Sequence, residues 1–256
     1  MRRTNLFNKG RIVPALGGDI VTAQAFSRKQ AVFNEKSRQY ARAGVITTPG
    51  YLRLETVAPS SAQSVFTFNT LDTSGVKTST ERRLKLSDTF TITDISFYLG
   101  TGSATSDAPT AAQYATQKLN TWPNPQVTAI GATQAAELEA IYNGFLSLRI
   151  DTTTFLDSIP MRQFYRVGTS QQGVGTATGV TPVQANEWPL SMYGKNELLP
   201  TIELNGQSNI EFSINLPNAT DCSGASTYFV NLVLILQGFL NQGGASNQKA
   251  MQRKLR

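Results

Sequence analysis

Helical periodicity is sustained over one long stretch near the start of the chain, AFSRKQAVFNEKSRQYARAG, where Phe26, Phe33 and Tyr40 recur every seven residues. Val32 and Ala41 widen this apolar stripe. Arg28, Lys29, Glu35, Lys36, Arg38 and Arg42 take much of the remaining surface, and Gly44 supplies a C-terminal stop. The pattern predicts an amphipathic helix whose narrow aromatic stripe packs on either the core of its own chain or a neighbouring subunit.

After Gly44 the periodicity falls to two. YLRLETV (Tyr51 to Val57), SVFTFNT (Ser64 to Thr70) and DTFTITDISFYLG (Asp88 to Gly100) alternate apolar with polar residues and predict strands. A short helix is expected from Thr133 to about Tyr142, followed by strands in FLSLRIDTTTF (from Phe145), MRQFYRV (Met161 to Val167), PTIELNG (Pro200 to Gly206), SNIEFSINLP (Ser208 to Pro217) and TYFVNLVLILQGF (Thr227 to Phe239). Asn205-Gly206 lies between two alternating stretches, the context that favours a tight hairpin. The last strand is almost wholly apolar, which predicts burial on both faces. Long connections rich in Ser, Thr, Gly and Pro begin at Gly100, at Gly168 and at Ala185. About eight strands with long loops and one early helix describe an all-β antiparallel sandwich.

Charge divides the chain more sharply than hydropathy does. Residues 1–43 hold nine basic residues against two acidic ones, a net +7, and the last eight residues, KAMQRKLR, add +4. The stretch between them is −5, so the formal +6 of the 256-residue chain is an excess carried by its two ends. The organisation expected is a basic N-terminal arm over 1–43, a β body over 44–240 and a basic tail over 241–256. Basic ends on a mildly acidic body suit non-specific contact with nucleic acid or an acidic membrane surface. The candidate polyanion contacts are Arg2, Arg3, Arg11, Lys249, Arg253, Lys254 and Arg256. The same ends also fit docking on protein or simple solvation.

The chain contains no histidine, which excludes a Ser-His-Asp triad, a Cys-His dyad and His-ligated zinc. One cysteine, Cys222, permits neither an intrachain disulfide nor a multi-cysteine metal site. No apolar run approaches the roughly 18–20 residues of a membrane helix, and the polar, basic start does not read as a secretory signal. Asp88 and Asp94, at an even offset on one strand, are expected to point the same way but roughly 20 Å apart at about 3.3 Å per residue, too far for a glycosidase pair. Glu203 and Glu211 are expected to face each other across the Asn205-Gly206 turn as surface carboxylates, and Ser246-x-x-Lys249 is a short match to a Ser-Lys spacing in a polar tail. Nothing predicts an enzyme, a cofactor or a small-molecule substrate. Trp122 and Trp188, each beside a proline in a long loop, are candidate assembly contacts together with Phe26, Phe33 and Tyr40.

A basic amphipathic arm, about eight strands with Ser/Thr/Gly/Asn/Pro loops, an apolar last strand ending in LQGF and a basic tail together resemble a jelly-roll capsid protein of a tailless icosahedral bacteriophage. The resemblance covers most of the chain and rests on architecture. It implies a virion protein made in the host cytoplasm, whose partners are copies of itself and other virion proteins. It also implies that the sandwich tiles the shell, the loops make intersubunit contacts and the arms run toward genome or membrane. Two compact jelly rolls are the alternative architecture to one. A carbohydrate- or receptor-binding β-sandwich, or an auxiliary or tail virion component, are the alternative functions.

Overall fold

The computed structural model describes residues 20–41, 44–58, 61–73, 75, 77–103, 109–123, 132–166, 195–221 and 228–245. In chain order the elements are α1 (Ile20–Ala41), β1 (Thr47–Val57), β2 (Gln63–Asn69), β3 (Thr89–Ser103), α2 (Ala111–Thr116), β4 (Lys118–Asn120), α3 (Ala132–Ala140), β5 (Phe145–Ile150), β6 (Thr153–Pro160), β7 (Lys195–Asn205), β8 (Ile210–Thr220) and β9 (Tyr228–Asn241). Single 3-10 turns cover Ile141–Asn143 and Met161–Phe164.

The strands make two antiparallel sheets. One runs β1-β9-β3, with β7 and the short β4 pairing on the far edge of β3; the other runs β2-β8-β5-β6. With β4 set aside, the pairings nest: β1 with β9, β2 with β8, β3 with β7, β5 with β6. Two further pairings, β9 with β3 and β8 with β5, complete the sheets.

Alternation places the core between the sheets. On β8, Ile210, Phe212, Ile214 and Leu216 are buried while the residues between them are only partly covered. They join Phe66, Leu146 and Leu148 of their own sheet and Leu52, Leu54, Phe90, Phe97 and Leu234 of the other in one apolar cluster. Phe97 meets Tyr142 and Phe164 edge-on, with centroids 5.6 and 6.4 Å away, so the two 3-10 turns extend that same core. β9 lies between β1 and β3 with Leu232, Val233, Leu234 and Leu236 fully buried, which is why its sequence is apolar on both parities.

Several local expectations are corrected. FLSLRIDTTTF is not one strand: Asp151, at φ 53°, turns the chain between β5 and β6. Its carboxylate accepts from Asn209 N–H at 2.8 Å, and Asp tolerates the left-handed region better than most residues. MRQFYRV is not a strand either. Met161 and Phe164, three apart and both buried, are the spacing a 3-10 turn brings to one side. The connection after Gly100 contains α2, nucleated by a capping box between Thr110 and Gln113. Asn205-Gly206 turns the chain tightly but makes no hairpin, because β7 and β8 belong to different sheets. A Cβ at Gly206 would run into the Lys85 carbonyl, so this crossing lies against neighbouring backbone. The strands make one pair of sheets, so two separate rolls do not occur among the described residues.

A bulge in β3 decides which of its side chains face the core. Between Ile92 and Asp94 the register of β3 shifts against both neighbours, by one residue against β9 and by three against β7. Phe90 and Ile92 point inward before this bulge, and Ile95, Phe97 and Leu99 after it. The strand therefore changes parity. Gly238 lies opposite, where a Cβ would collide with the Thr91 carbonyl oxygen. Asp88 and Asp94 consequently lose the shared facing that their even offset implied.

Candidate functional site

The bulge turns Asp94 and Ser96 to the same outward side as Thr89 and Thr91, beside Phe239 and Asn241 of β9 and Glu203 of β7. A polar sheet face would ordinarily meet water, but Thr89, Thr91, Ser96 and Asn241 are buried. Their cover includes α1. Lys29 Nζ lies 2.6 Å from an Asp94 carboxylate oxygen, Phe33 packs on Phe239 at 5.2 Å between centroids, and Lys36 and the Tyr40 hydroxyl both reach the Glu203 carboxylate. Thr89 donates to the Tyr40 hydroxyl and Asn241 to Thr89, each at 3.0 Å, while Thr47 donates to Asn241 at 2.7 Å. The helix end is thereby tied to three strands.

Positions 29, 33, 36 and 40 follow i, i+4, i+7, i+11, one face of a helix. Lys29 and Lys36, which by sequence belong to the charged remainder, thus lie on the docking stripe between the rings. Their three-residue offset from Phe26 and Phe33 is the signal in the sequence. The seat is incompletely satisfied, since the Thr91 and Ser96 hydroxyls are buried without a hydrogen-bond partner among the described residues. Lys195, on β7 opposite Ser96, is held below the usual lysine range by burial, with the Asp94 carboxylate opposing the shift and the Lys29 ammonium adding to it.

Farther along the same outward face, Glu55 and Glu81 have wholly shielded side chains. Glu55 accepts from Arg53 Nε at 2.6 Å, Thr80 at 2.7 Å and Asn231 at 2.7 Å. Glu81 accepts from Arg83 Nη2 at 2.7 Å and from the backbone N–H groups of Glu55 and Thr78 at 3.0 and 2.8 Å. These carboxylates are saturated and closed to solvent, so they pin the segment 77–83 to the sheet and leave no lone pair for acid-base work on a solute. Burial, then the Glu55 and Glu81 charges, push the nearby Tyr114 hydroxyl up to about 12. Sequence spacing carries no sign of this network, whose members come from β1, the 77–83 segment, Gln117 between α2 and β4, and β9.

Among the described residues no helix or segment covers the outward side of the second sheet. Val65, Asn215, Phe145 and Pro160 form one row across its four strands, and Thr67, Ser213 and Ser147 the next. Val65, Phe145 and Phe155 are exposed, and the Arg149–Glu211 pair at 2.6 Å is open to solvent. β6 closes this sheet as an edge strand with most of its residues exposed.

Of the residues singled out from sequence, Phe33 and Tyr40 meet on the α1 seat. Trp122 is half-buried just after β4, which pairs with the other end of β3. Phe26, Trp188, Arg2, Arg3, Arg11, Lys249, Arg253, Lys254 and Arg256 lie outside the residues whose side chains are described, as does Ser246 with its Lys249 partner. Glu203 and Glu211 do not face each other: one holds α1, the other pairs with Arg149 on the opposite sheet. Among the described residues no cluster of acidic or sulfur side chains is placed to hold a metal ion, and no helix is long and apolar enough to cross a membrane. Comparison of the chain with protein families, curated proteins and solved structures finds no match in any of the three.

Proposed function

We propose that this chain is a viral structural protein, a capsid subunit that self-assembles into a virion shell through its sheet edges, loops and terminal arms. The observation that carries the reading is the nested strand pairing. Counting the eight long strands alone, first pairs with last, second with seventh, third with sixth and fourth with fifth, all antiparallel. A long hairpin of that kind, rolled so that the eighth strand also meets the third and the seventh the fourth, supports a jelly roll.

Jelly rolls serve capsids and lectins among other roles, so the surface has to choose. Support for a shell comes from the outward side of β2-β8-β5-β6, uncovered among the described residues, where the exposed Val65, Phe145 and Phe155 give a weakly charged patch suited to a neighbouring copy. Further support is the segregation of positive charge into the two ends, +7 and +4 against a −5 middle, which suits arms that touch a polyanion. Copies of the chain and other virion proteins are the partners in this reading, the virion is its location, and no catalysis is involved.

Electron microscopy of the purified full-length protein tests it. Closed particles or rings of uniform size are expected on raising concentration or adding nucleic acid. A species that stays monomeric at high concentration across salt and pH overturns the reading.

A further inference from the structure

The edge of β1 that faces away from β9 borders a cleft of about 350 Å³, lined by β1, by Asp72 and residues of the 77–90 stretch, and by the end of β9. Arg53 exchanges both of its backbone hydrogen bonds with Arg82, at 2.9 Å each, so its N–H and C=O project away from β9. The two-residue period of a strand sends those of Tyr51 the same way. A second rung would require the chain after Arg82 to stay alongside β1. Instead Leu84 donates to the Thr70 carbonyl and accepts from Asp72 N–H, so the ladder stops after one rung. The edge at Tyr51 is left without a strand partner among the described residues.

The cleft is built for more than water. Leu240 contributes apolar surface above the buried Leu52 and Phe90, and Ile46, Tyr51 and Leu86 on the bordering segments are exposed. Its charged lining is mostly basic. Lys77 is occupied by Asp72 at 2.7 Å, and that hydrogen bond holds the Asp72 carboxyl below the usual range. Asp88 accepts from the Ser87 hydroxyl and from Gly243 N–H. Arg82 lies over the Tyr51 ring, 5.3 Å from its centroid, and neither Arg82 nor Lys85 is ion-paired among the described residues.

We propose that this cleft docks an extended acidic segment of a partner protein, which adds to β1 as a strand through the Tyr51 backbone and sets carboxylates against Arg82 and Lys85. The chain's own ends are poor occupants, because both are basic and would be repelled. An edge that offers both N–H and C=O matches a peptide backbone, whereas a phosphodiester chain has no N–H to give. The inference goes beyond the shell reading and holds whether or not the chain assembles.

The test is fluorescence anisotropy on the full-length protein with a short labelled peptide alternating Glu with Val, at low and moderate salt. Binding is expected to weaken at least about tenfold when Glu is replaced by Gln in the peptide, or in the exposed double variant Arg82→Glu/Lys85→Glu. Methylating alternate backbone nitrogens of the peptide leaves its charge intact and is expected to abolish binding, which separates strand addition from plain attraction. Equal binding of the Gln peptide, undiminished binding of the methylated one, or tighter capture of an oligothymidine at the same cleft overturns the proposal. Self-association removed by Arg82→Glu/Lys85→Glu would also overturn it, by naming a second copy as the occupant.

Discussion

On the outward side of β1-β9-β3-β7, Thr89 and Asn241 are wholly buried, while on the outward side of β2-β8-β5-β6, Val65 and Phe145 are 48% and 41% exposed. The usual assignment is inverted: polar side chains are covered and apolar ones are left open. On the first sheet the cover brings its own charges: Lys29 and Lys36 from α1 pair with the Asp94 and Glu203 carboxylates beneath them, and the 77–83 segment pairs its own Arg83 with Glu81. The second sheet has no such cover among the described residues. A face sealed by its own chain is finished, whereas a face that exposes Val and Phe in an otherwise uncharged row is available to something else.

The steepest contrast is between two ion pairs. Arg83→Ala leaves Glu81 charged in a site where both side chains are at most 2% exposed, and a loss of about 3–5 kcal/mol is expected from urea denaturation. Arg149→Ala, at a pair that is 55% and 37% exposed, is expected to cost under about 1 kcal/mol by the same measurement. Similar losses at both positions would erase the distinction between sealed and open faces.

Next in size is Tyr40→Phe, which removes a buried hydroxyl bonded to both Thr89 and Glu203. A loss of about 1–3 kcal/mol is expected, and an unchanged denaturation midpoint would mean that α1 does not occupy this seat in solution.

The sealed face also has an alkaline signature. Tyr114 gives up its proton near 10 when unfolded and near 12 when folded, so between those values the native state holds more protons and stability falls as pH rises. The contribution is complete below pH 10. Tyr114→Phe is expected to flatten the stability profile over that window, as read by thermal melts at stepped pH.

The smallest effect on stability is expected at the open face. Val65→Glu with Phe145→Glu should shift unfolding by within about 0.5 kcal/mol per site, yet leave a protein that no longer forms particles in light scattering. Intact assembly in that variant would move the subunit contact elsewhere.

Much of the architecture is legible because burial on one face leaves a period of two. SNIEFSINLP predicts β8, and the almost wholly apolar VNLVLIL predicts a strand covered on both sides. The bulge is also written in the sequence, as apolar positions 90 and 92 followed by 95, 97 and 99, but a single slipped residue inside a long alternating run reads as continuous. What alternation does not carry is the fate of its polar half. Thr89, Thr91 and Ser96 under a helix look the same, letter by letter, as the half-buried Ser213 and Asn215, since both sets are the non-core half of a strand. Charge misleads for the same reason. Lys29 and Lys36 read as solvent-facing, and only the positions of Asp94 and Glu203, far off in the chain, reveal them as contacts. Asn205-Gly206 announces a turn correctly but cannot say that the next strand joins the other sheet.

The position of β9 has a consequence for how the molecule comes into being. It occupies the middle of its sheet, and Thr47 and Asn241, hydrogen-bonded to one another, are 194 residues apart in the chain. During synthesis β1 and β3 emerge early with no means of pairing to each other, because the strand that separates them is made last. Both must wait with open edges until residues 228–241 have left the ribosome, so closure is slow and all-or-none. A chain stopped short of Tyr228 has no centre for that sheet and leaves a handle for chaperones or for aggregation.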